Sequence, residues 1–115
     1  MSRLLLLSTN KLSSGGANLS GVLRMAIGLK SLYQGHKVLV VLLGDAVLCG
    51  LKRSNPGWVD RYIRSAEIHE VPVYVEAESL EARHLTTAEL ATDVEPVDAA
   101  RYLELWRQAD LQLRI

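Results

Sequence analysis

Continuous apolar runs alternate along the chain with runs of helical spacing, and this alternation is the strongest structural signal the sequence carries. Arg3 to Thr9 is short and apolar throughout, the pattern of a strand buried on both faces. Small polar residues from Asn10 to Gly16 (N-K-L-S-S-G-G) interrupt it. Ala17 to Gln34 then sets Leu19, Val22, Leu23, Ala26, Leu29 and Tyr33 on one broad face, which predicts a helix with Gly35 as its C-terminal glycine. Lys37 to Leu43 (K-V-L-V-V-L-L) is Val-rich without polar alternation, as suits a strand inside a sheet.

Gly44-Asp45 ends that strand, and Ala46 to Lys52 predicts a short helix. Ser54-Asn55-Pro56-Gly57 is the strongest loop signal. The helix expected after it, Trp58 to Glu70, aligns Val59, Ile63 and Ala66. Val71 to Ala77 reads as a third strand, with Pro72 near its start, where a missing ladder donor matters least. A short helix over Glu78 to Leu85, a turn over Thr86 to Leu90 and a short strand over Val94 to Val97 follow. Asp98 is placed to cap a helix from Ala99 to Ala109, and Leu111 to Ile115 alternates as a fifth strand.

Strand–helix–strand repetition calls for a parallel sheet, because parallel neighbours need crossover connections. The expected architecture is a three-layer α/β/α domain with a mostly parallel five-stranded sheet, occupying residues 1–115 as one unit. Its crossovers should be right-handed. Ligands of such sheets sit beyond the carboxyl ends of the strands. Here those ends are Ser8-Thr9-Asn10, Gly44-Asp45, Glu76-Ala77 and Asp98.

Composition narrows this picture. The 115 residues are 49% hydrophobic but only 5% aromatic, with no Phe, so the core must be built from Leu, Val, Ile and Ala. Thirteen basic residues balance thirteen acidic ones, which argues against a direct nucleic-acid role, since such binders carry a basic excess. A near-neutral surface also favours a defined oligomer. The opening apolar run is too short for a signal peptide, and no stretch approaches the ~20 apolar residues of a membrane span. With a single cysteine, Cys49, no internal disulfide can form, and the expected residence is cytoplasmic.

Candidate chemistry is sparse. Ser13-Ser14-Gly15-Gly16-Ala17-Asn18 joins a strand to a helix and could present N–H groups to an anion, or simply connect the two. Neither dinucleotide nor phosphate-loop glycine spacing is present. Cys49, in A-V-L-C-G-L, reads as a buried structural thiol; a reactive one would need nearby cations. Of the histidines, His36 is expected at the surface, His69 near a helix end, and His84 close to a strand's carboxyl end. No H-x-x-x-H or C-x-x-C pair exists, so no metal and no cofactor is expected. Glu76 and Glu78 lie at period two and read as a solvated strand end or an acid–base pair. Trp58 and Trp106, in helices beside charges, suit either core anchoring or subunit contact.

L-L-L-L-S-T-N, then a helix ending in Y-Q-G-H-K-V and V-L-L-G-D-A-V, together with V-Y-V-E-A-E-S-L-E-A-R-H-L and D-V-E-P-V-D, resemble the DsrE/DsrF/DsrH superfamily, which includes the TusBCD-like proteins. The likeness spans essentially the whole chain. The latter half is similar to the DsrH/TusB branch, with its E-D-L-x-A-R-G-L-like segment, and the long first helix to DsrE. The resemblance implies a flavodoxin-like α/β/α fold and assembly as a homo-oligomer or with DsrE-like subunits. It also implies a place in persulfide sulfur relay, in sulfur oxidation or toward tRNA thiolation. Sulfur-carrying members hold the persulfide on a cysteine eight residues before a glycine; counting back from His84, which stands for that glycine, reaches Glu76. A carboxylate cannot accept sulfane sulfur as a thiolate does. His84 in place of glycine further implies an altered backbone, because positive φ strains a histidine.

The expected function is therefore a non-catalytic or regulatory subunit of a sulfur-relay assembly. Two alternatives stand beside it. One is a small-ligand or anion-binding module using Asn10, Asp45, Glu76 and His84; the other is a thiol enzyme dependent on Cys49.

Overall fold

The computed structural model describes residues 3–11, 17–32, 35–52, 63–91 and 93–115. Among the described residues, five strands, β1 (Leu4–Thr9), β2 (Lys37–Leu42), β3 (Val73–Glu76), β4 (Val94–Val97) and β5 (Leu111–Arg114), form one sheet in the order β4-β3-β2-β1-β5. All four strand pairings are parallel, with Leu4 opposite Lys37, Leu5 opposite Leu111, Val40 opposite Val73, and Val73 opposite Val94. Parallel strands need crossovers, and helices α1 (Ala17–Leu32), α2 (Arg64–Ile68), α3 (Ala77–Ala82) and α4 (Ala99–Gln108) lie in the connections.

Residues of β1 and β2 are apolar at consecutive positions because the sheet is covered on both sides. Leu5, Leu7, Val38, Val40, Leu42, Val73 and Val75 point to one face, against Val22, Leu23 and Ala26 of α1. Leu6, Leu39, Val41, Leu43 and Val97 point to the other, against Leu105 of α4. Tyr102 and Trp106 flank this second core with ring centroids 6.2 Å apart, which gives Trp106 an anchoring role; Trp58 lies outside the described residues.

Boundaries shift where local geometry overrides pattern. The segment expected as a helix over 46–52 is a 3₁₀ helix, Gly44–Gly50. β3 begins only at Val73: Pro72 has no N–H to give, and its carbonyl instead accepts from Val40 N–H at 3.0 Å. α3 starts at Ala77, directly after Glu76, which removes Glu76 and Glu78 from a shared strand edge. Asp98 caps α4 as expected, its carboxylate accepting from Arg101 N–H at 2.7 Å. α1 is described as far as Leu32, residues 33–34 of the expected helix lie outside the described set, and Gly35 lies in a turn without the left-handed φ of a helix-ending glycine. Residues 58–62 of the second expected helix and residues 12–16 of the glycine-rich loop fall outside the described set. Among the described residues, no helix is long and apolar enough to cross a membrane.

Candidate functional site

The carboxyl ends of β1, β2 and β3 come together through one backbone turn and one short helix. β1 ends in two buried hydroxyl residues, Ser8 and Thr9, and an exposed Asn10. Ser8 Oγ accepts from the Tyr102 hydroxyl at 3.0 Å, and the Thr9 carbonyl accepts from Leu43 N–H at 2.8 Å. The chain then turns at Gly44, whose φ is +52°. A Cβ there would stand 3.5 Å from Asn10 Cβ and 3.8 Å from the Asn10 carbonyl oxygen, in ordinary contact. It is the positive φ, more than space, that selects glycine at this position.

α3 supplies the rest. Ser79 is buried, with its Oγ accepting from Gly44 N–H at 3.0 Å and donating to Glu76 Oε1 at 2.5 Å. Arg83, one helical turn later, donates from Nη1 to the Ser79 carbonyl at 3.0 Å and from Nη2 to Asp45 Oδ1 at 2.7 Å. The result is a rim on which Glu76, Ser79, Gly44, Asp45 and Arg83 form one connected polar chain, with Asn10 beside it. Asp45 remains 67% exposed in its side chain and Arg83 30%, so this ion pair faces water and serves position more than stability. Glu78 turns away: both of its carboxylate oxygens accept from Ala99 N–H at 2.9 Å, tying α3 to the start of α4.

His84 sits at φ +57°, exposed, immediately after Arg83. Its N–H donates to the Glu81 carbonyl and Leu85 N–H to the Leu80 carbonyl, the hydrogen-bond pattern that closes a helix through a left-handed residue. The altered backbone expected of histidine in place of glycine does not occur: His84 keeps the left-handed φ and carries the strain, held there by Leu80 and Leu85 on the main core. His84→Gly should therefore raise folding stability by about 1 kcal/mol, read from urea unfolding, because relief of the left-handed strain outweighs the extra freedom glycine gives the unfolded chain. An unchanged or lowered midpoint would show that the histidine ring contributes contacts of its own.

Of the expected site residues, Asn10, Asp45 and Glu76 converge on this rim, and His84 borders it on the turn after Arg83. Cys49 does not join them. It lies within the 3₁₀ helix at 2% exposure, and burial pushes its thiol from an ordinary 9.0 up to about 11. His36 is half-buried rather than at the surface, because its Nδ1 accepts from Arg3 N–H at 3.0 Å at the opposite end of the sheet. His69 is exposed at the end of α2, its Nδ1 2.8 Å from the Ser65 carbonyl. No group of three or more His, Cys, Asp or Glu suited to a metal occurs among the described residues. Ser79 and Arg83 complete the rim without being among the residues the sequence pattern singles out. Their signal is the spacing Glu76, Ser79, Arg83, which shares one face once the helix begins at Ala77.

A wholly parallel α/β sheet with a polar rim at its carboxyl edge defines the class of this protein. The family model of the DsrE/DsrF-like family matches residues 8–114, and the chain belongs to that family. Among solved structures, it resembles the crystal structure of the ychN protein from E. coli with a TM-score of 0.82 and 21% identity, over 100% of both chains. It also resembles the protein of unknown function MTH1491 from Methanobacterium thermoautotrophicum, with a TM-score of 0.76 and 14% identity, again over 100% of both. At these identities the likeness is one of fold. No curated protein matches the sequence significantly.

Proposed function

We propose that this chain is a non-catalytic or regulatory subunit of an intracellular DsrE-family sulfur-relay assembly, working beside cysteine-bearing DsrE-like subunits. One observation carries the reading. The end of β3, where the resemblance places the persulfide cysteine, holds Glu76, hydrogen-bonded to buried Ser79. A carboxylate in that place offers no sulfur nucleophile, and Ser79 is already committed to Gly44 N–H and Glu76.

The single cysteine does not replace it. A thiol with a pKa of about 11 is almost wholly protonated at neutral pH, and at 2% exposure it is closed to a donor. The rim then serves to shape and polarise a surface beside a partner's thiol, with Asp45 and Arg83 exposed enough to meet it.

The test is sulfur loading. Purified protein treated with polysulfide at neutral pH should gain no sulfur by intact mass measurement, whereas a cysteine-bearing DsrE-like homologue in the same reaction should. Co-expressed with this chain, that homologue should co-purify with it. Cys49 should likewise be alkylated only after unfolding. Persulfide on Cys49 of the folded protein, passed on to an acceptor thiol, would overturn the proposal in favour of a thiol enzyme.

A further inference from the structure

The two-residue alternation of the strands gathers a second group of polar residues at the amino-terminal edge of the sheet, the end opposite the rim. Leu5 and Val38 lie in the core on the α1 side, and Leu113 packs against it. Arg3, His36 and Leu111 each stand two residues earlier, so they fall on that same side. There, with Leu5, Asp110 and Leu29 of α1, they line an open cleft of about 580 Å³. Small-molecule sites span about 300–1,000 Å³ and combine apolar walls with a few convergent polar groups.

Backbone hydrogen bonds fix the charged walls. Arg3 N–H donates to His36 Nδ1 at 3.0 Å, and the Arg3 carbonyl accepts from Lys37 N–H at 2.9 Å. Asp110 N–H donates to the Leu4 carbonyl at 2.8 Å, while Asp110 Oδ2 accepts from Leu4 N–H at 2.8 Å. That second bond orients the carboxylate, and among the described residues its Oδ1 has no partner. Because Arg3 adjoins Leu4 in the chain, the two charges stand within reach of one small molecule.

These charges do not neutralise each other. Among the described residues, neither the Arg3 guanidinium nor the Asp110 carboxylate enters an ion pair. The rest of the lining is apolar: Leu5 is buried, Leu29 half-buried, and Leu111 remains 43% exposed. A neutral apolar ligand would strip water from both charges and give nothing back. A simple anion or cation would meet one charge that attracts it and one that repels it. A zwitterion with an apolar body matches all three features. Its carboxylate suits the two-pronged guanidinium, its ammonium suits Asp110 Oδ1, and its hydrocarbon covers the leucines.

We infer that this cleft binds a free apolar α-amino acid, carboxylate at Arg3, ammonium at Asp110 and side chain on Leu5, Leu29 and Leu111. It lies at the other end of the sheet from Glu76, and the inference does not depend on the sulfur-relay reading.

Isothermal titration of the full chain with leucine should give a Kd of about 1 mM or tighter, in keeping with a ligand of so few atoms. Leucinamide lacks the carboxylate and N-acetylleucine lacks the ammonium; each should bind at least ~10-fold more weakly, the loss of one charge-assisted hydrogen bond. This series tests the inference on the unaltered chain. Two variants then assign the charges. Arg3→Gln should bind leucine no better than leucinamide. Asp110→Asn, whose amide oxygen still suits Leu4 N–H, should bind leucine no better than N-acetylleucine. General loosening of the fold would weaken all three ligands alike and cannot produce this crossed pattern. Amide NMR shifts on adding leucine should centre on Leu5, Leu29 and Leu111. Absence of heat and of shifts at about ten times the expected Kd would overturn the inference. So would equal affinity for leucine and N-acetylleucine, an equal loss for all three ligands in both variants, or shifts confined to Gly44 and Ser79.

Discussion

Glu76→Cys is expected to give the protein a thiol that alkylates at neutral pH at least ~100-fold faster than Cys49 does. The factor follows from ionisation: burial holds the Cys49 thiol at about 11 against an ordinary 9.0, and each unit of difference is tenfold in thiolate. Access acts in the same direction, because residue 76 is half-buried at the end of β3 whereas Cys49 is 2% exposed. The new thiol would follow an extended residue and precede α3, with Ser79 Oγ still anchored by Gly44 N–H. The substitution leaves the core untouched. The same variant should acquire one sulfur atom from polysulfide, detected by intact mass, while Glu76→Ser should not. A Glu76→Cys thiol no more reactive than Cys49 would mean that the strand end is closed, and the proposed subunit role would lose the observation that carries it.

The strands were legible in the sequence because a parallel sheet covered on both faces leaves apolar runs with no polar alternation. Arg3–Thr9 and Lys37–Leu43 read that way, and β1 (Leu4–Thr9) and β2 (Lys37–Leu42) lie within them. Asp98 was legible for a similar reason: a cap acts on residues three positions away, within reach of local pattern. The rim was legible only in part. Asn10, Asp45 and Glu76 were placed by the rule that ligands gather at strand ends. Their partners Ser79 and Arg83 were not, because Arg83 meets Asp45 across 38 residues of sequence, a contact set by topology. One residue in the helix start also mattered. Beginning α3 at Glu78 puts Glu76 on a strand edge beside Glu78; beginning it at Ala77 puts Glu76 over Ser79 instead. His84 shows the converse. Its missing glycine was visible in the sequence, but only the structure reveals that the left-handed turn persists at φ +57° with histidine in it.

Gly50→Val is expected to lower the melting temperature by about 10 °C, corresponding to a loss of roughly 3 kcal/mol for a domain of this size. Gly50 closes the 3₁₀ helix where that segment passes over the sheet. A Cβ there would come within 2.9 Å of Val75 Cγ1 and 3.2 Å of Val94 Cγ1, with Leu90 Cδ2 at 3.8 Å. Val75 and Val94 belong to β3 and β4 and are themselves buried, so neither can move aside without disturbing a strand. The backbone around Gly50 is fixed as well: its carbonyl accepts from Ala91 N–H at 2.8 Å, and Leu51 bridges to Leu90. The strain must therefore pass along the 3₁₀ helix to its other end, where Gly44 and Asp45 belong to the rim. Gly50→Val should accordingly weaken the Asp45–Arg83 pair as well as the fold. Gly35→Ala, at a position with nothing within 4 Å and no positive φ, is the matched control and should change stability by less than ~0.5 kcal/mol. Equal melting temperatures for the two variants would show that the close approach of the 3₁₀ helix to β3 and β4 does not exist in solution, and with it the packing that holds Gly44 and Asp45 beside Glu76.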